Sequence, residues 1–227
     1  MSVRVTYYGH AAFGLEGDDT RLLIDPYFTD NPQAAASADE VDANYILVSH
    51  GHGDHVGDTV AIARRTSATV VSNFEIVSWL EQQGVEKTHP LHIGGSWKFP
   101  FGRVKMTIAH HGSSLPDGSY GGNPGGFLIE LAGRKIYYAG DTGLTYDMKW
   151  LADDGVDLAL LCIGDNFTMG PDDAIKAVRL IEPGLVIPYH YGTWPYIDVD
   201  TKDFQARCEA ETGVKVILLA PGESYTL

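Results

Sequence analysis

Eleven residues, VSHGHGDHVGD from Val48 to Asp58, carry His50, His52 and His55 together with Asp54 and Asp58. In an extended or turning segment, side chains at i and i+2 point the same way, so His50 and His52 can grip one metal ion. Asp54 and His55, carried round the following turn, then present ligands to a neighbouring position. Imidazole mixed with carboxylate suits zinc and related divalent ions. The interleaved glycines leave the backbone free to fold tightly around an ion. A lone H-x-H reads as well as a polar turn, but H-x-H-x-D-H directly after the apolar run NYILV reads as a metal motif. Asp58 closes the stretch and reads as the cap of a helix that follows.

A catalytic metal site needs ligands from elsewhere in the chain. The segments VKMTIAHHG, KIYYAGDTG and LVIPYHYG each run apolar or β-branched into His or Asp beside a glycine. Such strand ends hold reactive side chains rigidly while leaving them open to solvent. His110 or His111, Asp141 and His190 therefore join the candidates. Within VKMTIAHH, alternation groups His110 with Val104, Met106 and Ile108, and His111 with Lys105, Thr107 and Ala109.

The elements that must position these residues alternate. Strand-like runs are RVTYY, RLLID, NYILV, ATVVS, VKMTIA, GFLIEL, KIYYAG, DLALLCIG, LVIPY and VKVILLA. Helix-like stretches are DTVAIARRT, FEIVSWLEQQG, MKWLADDG, GPDDAIKAVRLIEPG and DFQARCEAETG. Pro171 with Asp172 and Asp173 marks a first turn, and Gly84 and Gly213 fall just past a last one. Strands dominate the first third, helices enter after residue 56, and the last third alternates. The pattern is mixed α/β, and with no linker, charge block or repeat it reads as a single domain over residues 1–227. The glycine-rich segment 116–126 stands out as the one long irregular stretch, either a loop beside a site or a wide turn.

Composition limits the partners. The chain has 16 Lys and Arg against 30 Asp and Glu, a formal charge of −14. That balance argues against extended nucleic-acid binding, which relies on clustered cations. No run approaches the roughly 18 apolar residues of a membrane span, and the N-terminus does not read as a signal peptide, so a cytoplasmic location is expected. Cys162 and Cys208 lie far apart and read as reduced thiols. A homo-oligomer is compatible with all of this.

With these residues in view, the chain resembles the metallo-β-lactamase superfamily. The motif series is Asp25 in LLIDP, HGHGDH, a histidine in AHHGSS, Asp141 in AGDT and His190 in IPYHYGTWP. More narrowly, YYGHAAF, HPLHIGG and IGDNFTMGPDDA resemble small prokaryotic metal-dependent hydrolases of that superfamily, relatives of the ascorbate-6-phosphate lactonase branch. The resemblance implies an α/β fold, the metallo-β-lactamase αββα four-layer sandwich, with the site at one edge.

It also implies roles. His50, His52 and the downstream histidine would hold one metal, and Asp54, His55 and His190 a second, with Asp141 bridging. The motif spacing before GSS selects His111 over His110. Asp25 would orient the ligand loop, and His10 in YGHA would lie at the metal edge or support it. The expected cofactor is two divalent ions, Zn2+ first, with Mn2+, Ni2+ or Fe as other occupants. Such a pair would activate a shared water as nucleophile, with Asp54 or Asp141 holding and orienting it. The implied activity is hydrolysis of a small-molecule ester, lactone or phosphodiester. An iron-dependent redox protein on the same fold and a non-catalytic metal-binding protein are the alternatives. Asn166, Thr168, Trp194 and Tyr196 are candidate substrate contacts, His92 is a candidate site residue, and His89 before Pro90 reads as a loop histidine.

Overall fold

The computed structural model describes residues 2–227. The first half of the chain builds six strands: β1 (Arg4–Gly9), β2 (Ala12–Gly17), β3 (Thr20–Ile24), β4 (Tyr45–Leu47), β5 (Thr69–Asn73) and β6 (Thr88–Leu91). The second half builds β7 (Ser96–Phe99), β8 (Gly102–Ile108), β9 (Gly125–Leu131), β10 (Arg134–Tyr138), β11 (Leu158–Cys162), β12 (Leu185–Tyr189) and β13 (Lys215–Val216), before β14 (Ser224–Thr226) returns to the first half. Two seven-stranded sheets result, ordered β14-β1-β2-β3-β4-β5-β6 and β13-β12-β11-β10-β9-β8-β7. Each joins an antiparallel part to a parallel part: β3 through β6 pair parallel, as do β10 through β13.

Alternation along the strands explains the layering. Leu22 and Ile24 of β3, Leu47 of β4 and Val71 of β5 join a core shared with Val104, Met106, Phe127 and Ile129 of the opposite sheet. Their neighbours Leu23, Ile46 and Val70 fall on the other face, packed with Ile62, Ala63, Ile76 and Leu80. Strands buried on both faces read as unbroken apolar runs, which is how RLLI, YIL and TVV appear in the sequence. The helices covering the first sheet are α2 (Thr59–Thr66) and α3 (Phe74–Gln82), preceded by the one-turn α1 (Gly53–Val56). The second sheet is covered by α4 (Trp150–Asp154), α5 (Pro171–Ile181) and α6 (Thr201–Thr212). In α5, Pro171 begins the helix and Ala174, Ile175, Ala177, Val178 and Ile181 bury one stripe, so local signals and packing agree. The order helix, sheet, sheet, helix is the expected four-layer sandwich.

Several elements differ from the sequence reading. β2, β6, β7 and β14 were not expected; β2 contains Gly14 and Gly17, which weaken any strand signal. VKVILLA pairs only over Lys215–Val216. His89 lies within edge strand β6, with its ring 5.1 Å from Trp97 and 5.0 Å from Phe99, and so is not a loop histidine. Pro90 is tolerated beside it because an edge strand need not donate every N–H. Gly125 and Gly126 of the glycine-rich stretch 116–126 already belong to β9, so the irregular segment there spans 109–124, and residues 25–44 form a second one. Among the described residues, no helix is long and apolar enough to cross a membrane.

Candidate metal centre

β1, β3 and β4 run in one direction, as do β8, β10, β11 and β12, and the chemistry-bearing residues leave their C-terminal ends. Ligands of open α/β sheets gather at such ends. The two sheets are tied together there: His190 N donates to His10 O at 2.8 Å, and Gly125 N to Ser49 O at 3.0 Å. His10, Asp25 and His190 all adopt left-handed backbone angles, φ 56°, 43° and 60°. Non-glycine residues sit there at a cost that surrounding contacts must hold in place. Gly140, just before Asp141, has φ 65°, and a Cβ on it would lie 2.3 Å from Gly125 O, so only glycine permits this approach.

The HGHGDH motif opens a helical turn rather than remaining extended, because Val56 N and Gly57 N donate back to His52 O and Gly53 O. His50 and His52 precede that turn and meet His111, with ring centroids 5.1 and 5.0 Å from it. Ligand atoms of these three lie within 4.8 Å of one another. The turn carries Asp54 and His55 to a second group with His190 and His10, under the same distance limit. Asp141 reaches both groups: its Oδ2 is 2.9 Å from His190 Nε2, 3.3 Å from His55 Nε2 and 3.6 Å from His111 Nε2. His110, in contrast, is exposed, and its backbone N–H donates to Thr142 Oγ1.

Asp25 organises this arrangement from below. Completely buried, it accepts from Ser49 N (2.7 Å), Ser49 Oγ, His55 Nδ1 (2.7 Å) and Tyr138 OH (2.7 Å). The bond from His55 Nδ1 fixes that ring so that Nε2 faces Asp141 and Asp54. Ser49 Oγ also lies 2.9 Å from His50 Nδ1, so one carboxylate steers two rings. Neither Ser49 nor Tyr138 was singled out from the sequence.

Several atoms at this centre lack partners. Among the described residues, His190 Nδ1 and Asp141 Oδ1 are buried without a hydrogen bond, and His55 Nε2 and His190 Nε2 face Asp141 Oδ2 at ion-pair distance without making one either. Each such atom costs about 1–3 kcal/mol unless something compensates. Convergence of unpartnered imidazole nitrogens and carboxylate oxygens is an arrangement that a divalent cation satisfies, so the donor set fits a metal.

Electrostatics agree. Burial, followed by neighbouring rings such as His55, holds His50 well below the ordinary imidazole pKa, and burial lowers His52 and His111 too, keeping them neutral as ligands must be. Burial brings His10 down to about 4. At His55 burial opposes the charged form, but Asp141, Asp54 and Asp25 outweigh it and raise its pKa well above the usual value. Three carboxylates around one buried ring call for positive charge between them, which a proton or a metal cation supplies. Burial opposes the ionised forms of Asp141 and Asp54; His190 and His55 overcome it at Asp141, and His55 and His10 at Asp54, holding both ionised.

The remaining candidates divide. His10 is completely buried, with Nε2 3.1 Å from Asp54 Oδ2 and Nδ1 2.8 Å from Thr193 Oγ1, a partner the sequence did not suggest. Trp194 packs its ring 4.8 Å from that of His10. Asn166 and Thr168 lie in the loop after β11, tied to the site by Met169 N donating to Thr142 O, but Asn166 is exposed and Thr168 Oγ1 donates to Met169 O. Neither side chain meets the histidine cluster. Tyr196 is exposed beside Phe167. His92 does not join the site: it is exposed in the turn between β6 and β7, the outermost strands of the two sheets, and its hydrogen-bond partner is Ile93 O. Asp58 occupies the N-cap position of α2 without a capping bond. Its carboxylate instead accepts from Phe28 N, Thr29 N and Thr29 Oγ1, pinning the 25–44 segment.

The chain's similarities point the same way. A family model for the Beta-lactamase superfamily domain matches residues 20–191. A "UPF0173 metal-dependent hydrolase" of Carboxydothermus hydrogenoformans is 52% identical over 228 residues, covering 99% of this chain and 100% of the relative. Its counterpart in Thermus thermophilus is 49% identical over 225 residues, covering 99% of each. A solved metallo hydrolase from the archaeon Ignicoccus hospitalis superposes with TM-score 0.91 at 34% identity, covering 100% of this chain and 99% of that one. The chain therefore belongs to the UPF0173 metal-dependent hydrolases of the beta-lactamase superfamily, and it is a metal-dependent hydrolase with the metallo-β-lactamase fold.

Proposed function

We propose that this hydrolase cleaves a small ester, lactone or phosphodiester with two divalent ions, Zn2+ first among them. His50, His52 and His111 would hold one ion; Asp54, His55 and His190 would hold the other; Asp141 would touch both. The observation that carries the reading is the convergence of buried, unpartnered His55 Nε2, His190 Nε2 and Asp141 Oδ1 between the two histidine groups. When bound, such a pair of ions lowers the pKa of a water and polarises the scissile bond.

The chain's own residues divide the remaining work. Asp54 is the carboxylate of the set that solvent reaches, its side chain 25% exposed against 3% for Asp141. Its Oδ2 faces the rings of His10, His55 and His190 at 3.1, 3.7 and 3.9 Å, which leaves Oδ1 to accept a hydrogen bond from an attacking water. His10 steadies Asp54 from behind and is itself held by Thr193. The water oxygen bonds to the acyl carbon or phosphorus, the bond to the leaving oxygen breaks, and the water's proton ends on the leaving group. No redox change occurs.

The test is metal analysis of purified protein alongside hydrolysis assays on esters, lactones and phosphodiesters. About two divalent ions per chain are expected, with metal content and turnover both falling sharply in His52→Ala and Asp141→Ala. Full activity after chelation, or in either variant, would overturn the mechanism. Redox-active iron with no hydrolysis would favour an iron-dependent redox role.

A further inference from the structure

The loops around the centre are unusual in what they lack. Segments 25–44, 48–58, 73–75, 109–124, 139–148, 163–170 and 190–200 follow strand ends at the site edge, and not one of the chain's 16 Lys and Arg falls within them. Their basic side chains are histidines only. The same loops carry acidic groups, including Asp30, Asp117, Asp147, Asp165 and Asp198. Lys149, just beyond one loop, is engaged 2.8 Å from Glu182 Oε1, and Lys202 lies in the first turn of α6.

Large apolar side chains occupy the same edge. Of the seven large hydrophobics exposed among the described residues, Phe74, Tyr120, Tyr146, Phe167 and Tyr196 belong to these loops; Trp97 and Trp150 do not. Two of them sit on loops that meet beside the centre. Phe167 and Tyr196 approach with ring centroids 6.3 Å apart, and their loops meet at His190, where a Cβ on Gly164 would lie 2.1 Å from His190 O and 3.0 Å from Ile197 Cβ. Trp194, two residues before Tyr196 in the same loop, packs against the His10 ring. A substrate carrying a fixed anion away from its reacting bond would meet no Lys or Arg there and several carboxylates. An apolar or aromatic group would meet three rings.

Resting on the hydrolase reading above, we infer that the substrate is an uncharged carboxylic ester or lactone with an apolar or aromatic substituent, seated on Trp194, Phe167 and Tyr196, rather than a phosphodiester or other anion. The pattern of the loops selects this class, since attraction for one ligand and repulsion of another both add to discrimination.

The metal-loaded full chain would be assayed on 4-nitrophenyl acetate, 4-nitrophenyl butyrate, 4-nitrophenyl hydrogen succinate and bis(4-nitrophenyl) phosphate. Butyrate is expected to exceed the succinate half-ester and the phosphodiester in kcat/KM by about tenfold or more, a discrimination that apolar pockets reach. Phe167→Ser and Tyr196→Ser should lower the butyrate-to-acetate ratio. A preference for the half-ester or the phosphodiester would overturn the inference. Equilibrium dialysis with N-phenylbutanamide and N-phenylsuccinamic acid tests the same surface without turnover. Tighter binding of the neutral amide, weakened by the two Ser variants, supports the assignment even in a chain that hydrolyses none of the esters, in which case the hydrolase mechanism alone fails. Equal binding, or tighter binding of the acid, refutes the assignment.

Discussion

Replacing Asp25 by Asn tests how the centre is held. The carboxylate receives four donors, and three of them converge on Oδ2: Ser49 Oγ, His55 Nδ1 and Tyr138 OH. An Asn side chain has nearly the same shape but one acceptor oxygen, and its NH2 points at donors wherever it is placed. His55 Nδ1–H then loses its carboxylate, and the ring is free to carry its proton on Nε2, the atom needed for a metal. Losing a partner of this kind typically costs 10–100-fold in metal affinity, or about 1.4–2.7 kcal/mol. Unpaired buried donors add about 1–3 kcal/mol each in lost stability, a large share of the 5–15 kcal/mol a domain usually has. Metal affinity would be measured by competition with a chromogenic chelator and stability by urea unfolding, with far-UV circular dichroism as the check on folding. Tyr138→Phe, which removes one of the four donors, should give a smaller loss in both. A folded Asp25→Asn protein with wild-type affinity and an unchanged urea midpoint would refute the argument that Asp25 sets the His55 ring.

Other substitutions separate neighbours that look alike in sequence. His111→Ala should lower metal content measured by atomic emission, while His110→Ala, altering an exposed ring, should leave it unchanged. His92→Ala should leave both metal content and hydrolysis at wild-type levels; a loss of metal would bring His92 back into the site. Asp58→Ala should destabilise the chain by about 1–3 kcal/mol in urea unfolding, since it strips the acceptor from three donors. It should also increase proteolytic cleavage within residues 25–44, an effect a simple helix cap would not produce.

The sequence carried the ingredients of the centre because their signals are local. H-x-H-x-D-H is one continuous stretch, and Asp141 and His190 each end an apolar run whose burial can be read from composition. Mixed α/β order was equally legible, since buried parallel strands such as LALLC and the amphipathic stripe of α5 declare themselves within about ten residues. β2 and β6 escaped because glycine and proline interrupt the pattern, and strand pairing rather than propensity makes them strands.

What the tertiary structure decided depends on contacts between residues far apart in the chain. Alternation put His110 on the apolar face and motif spacing matched His111, yet the strand ends at Ile108, before either histidine, so only the packed structure places His111 with His50 and His52. Tyr138 reaches Asp25 across 113 positions, His10 reaches Thr193 across 183, and Asp58 turns from its own helix to residues 28 and 29. Sequence names the groups able to bind a metal because ligand chemistry belongs to each side chain. Which atoms face inward, and what holds them there, is fixed only when two sheets close on one another and bring the ends of β1, β3, β4, β8, β10 and β12 to a common edge.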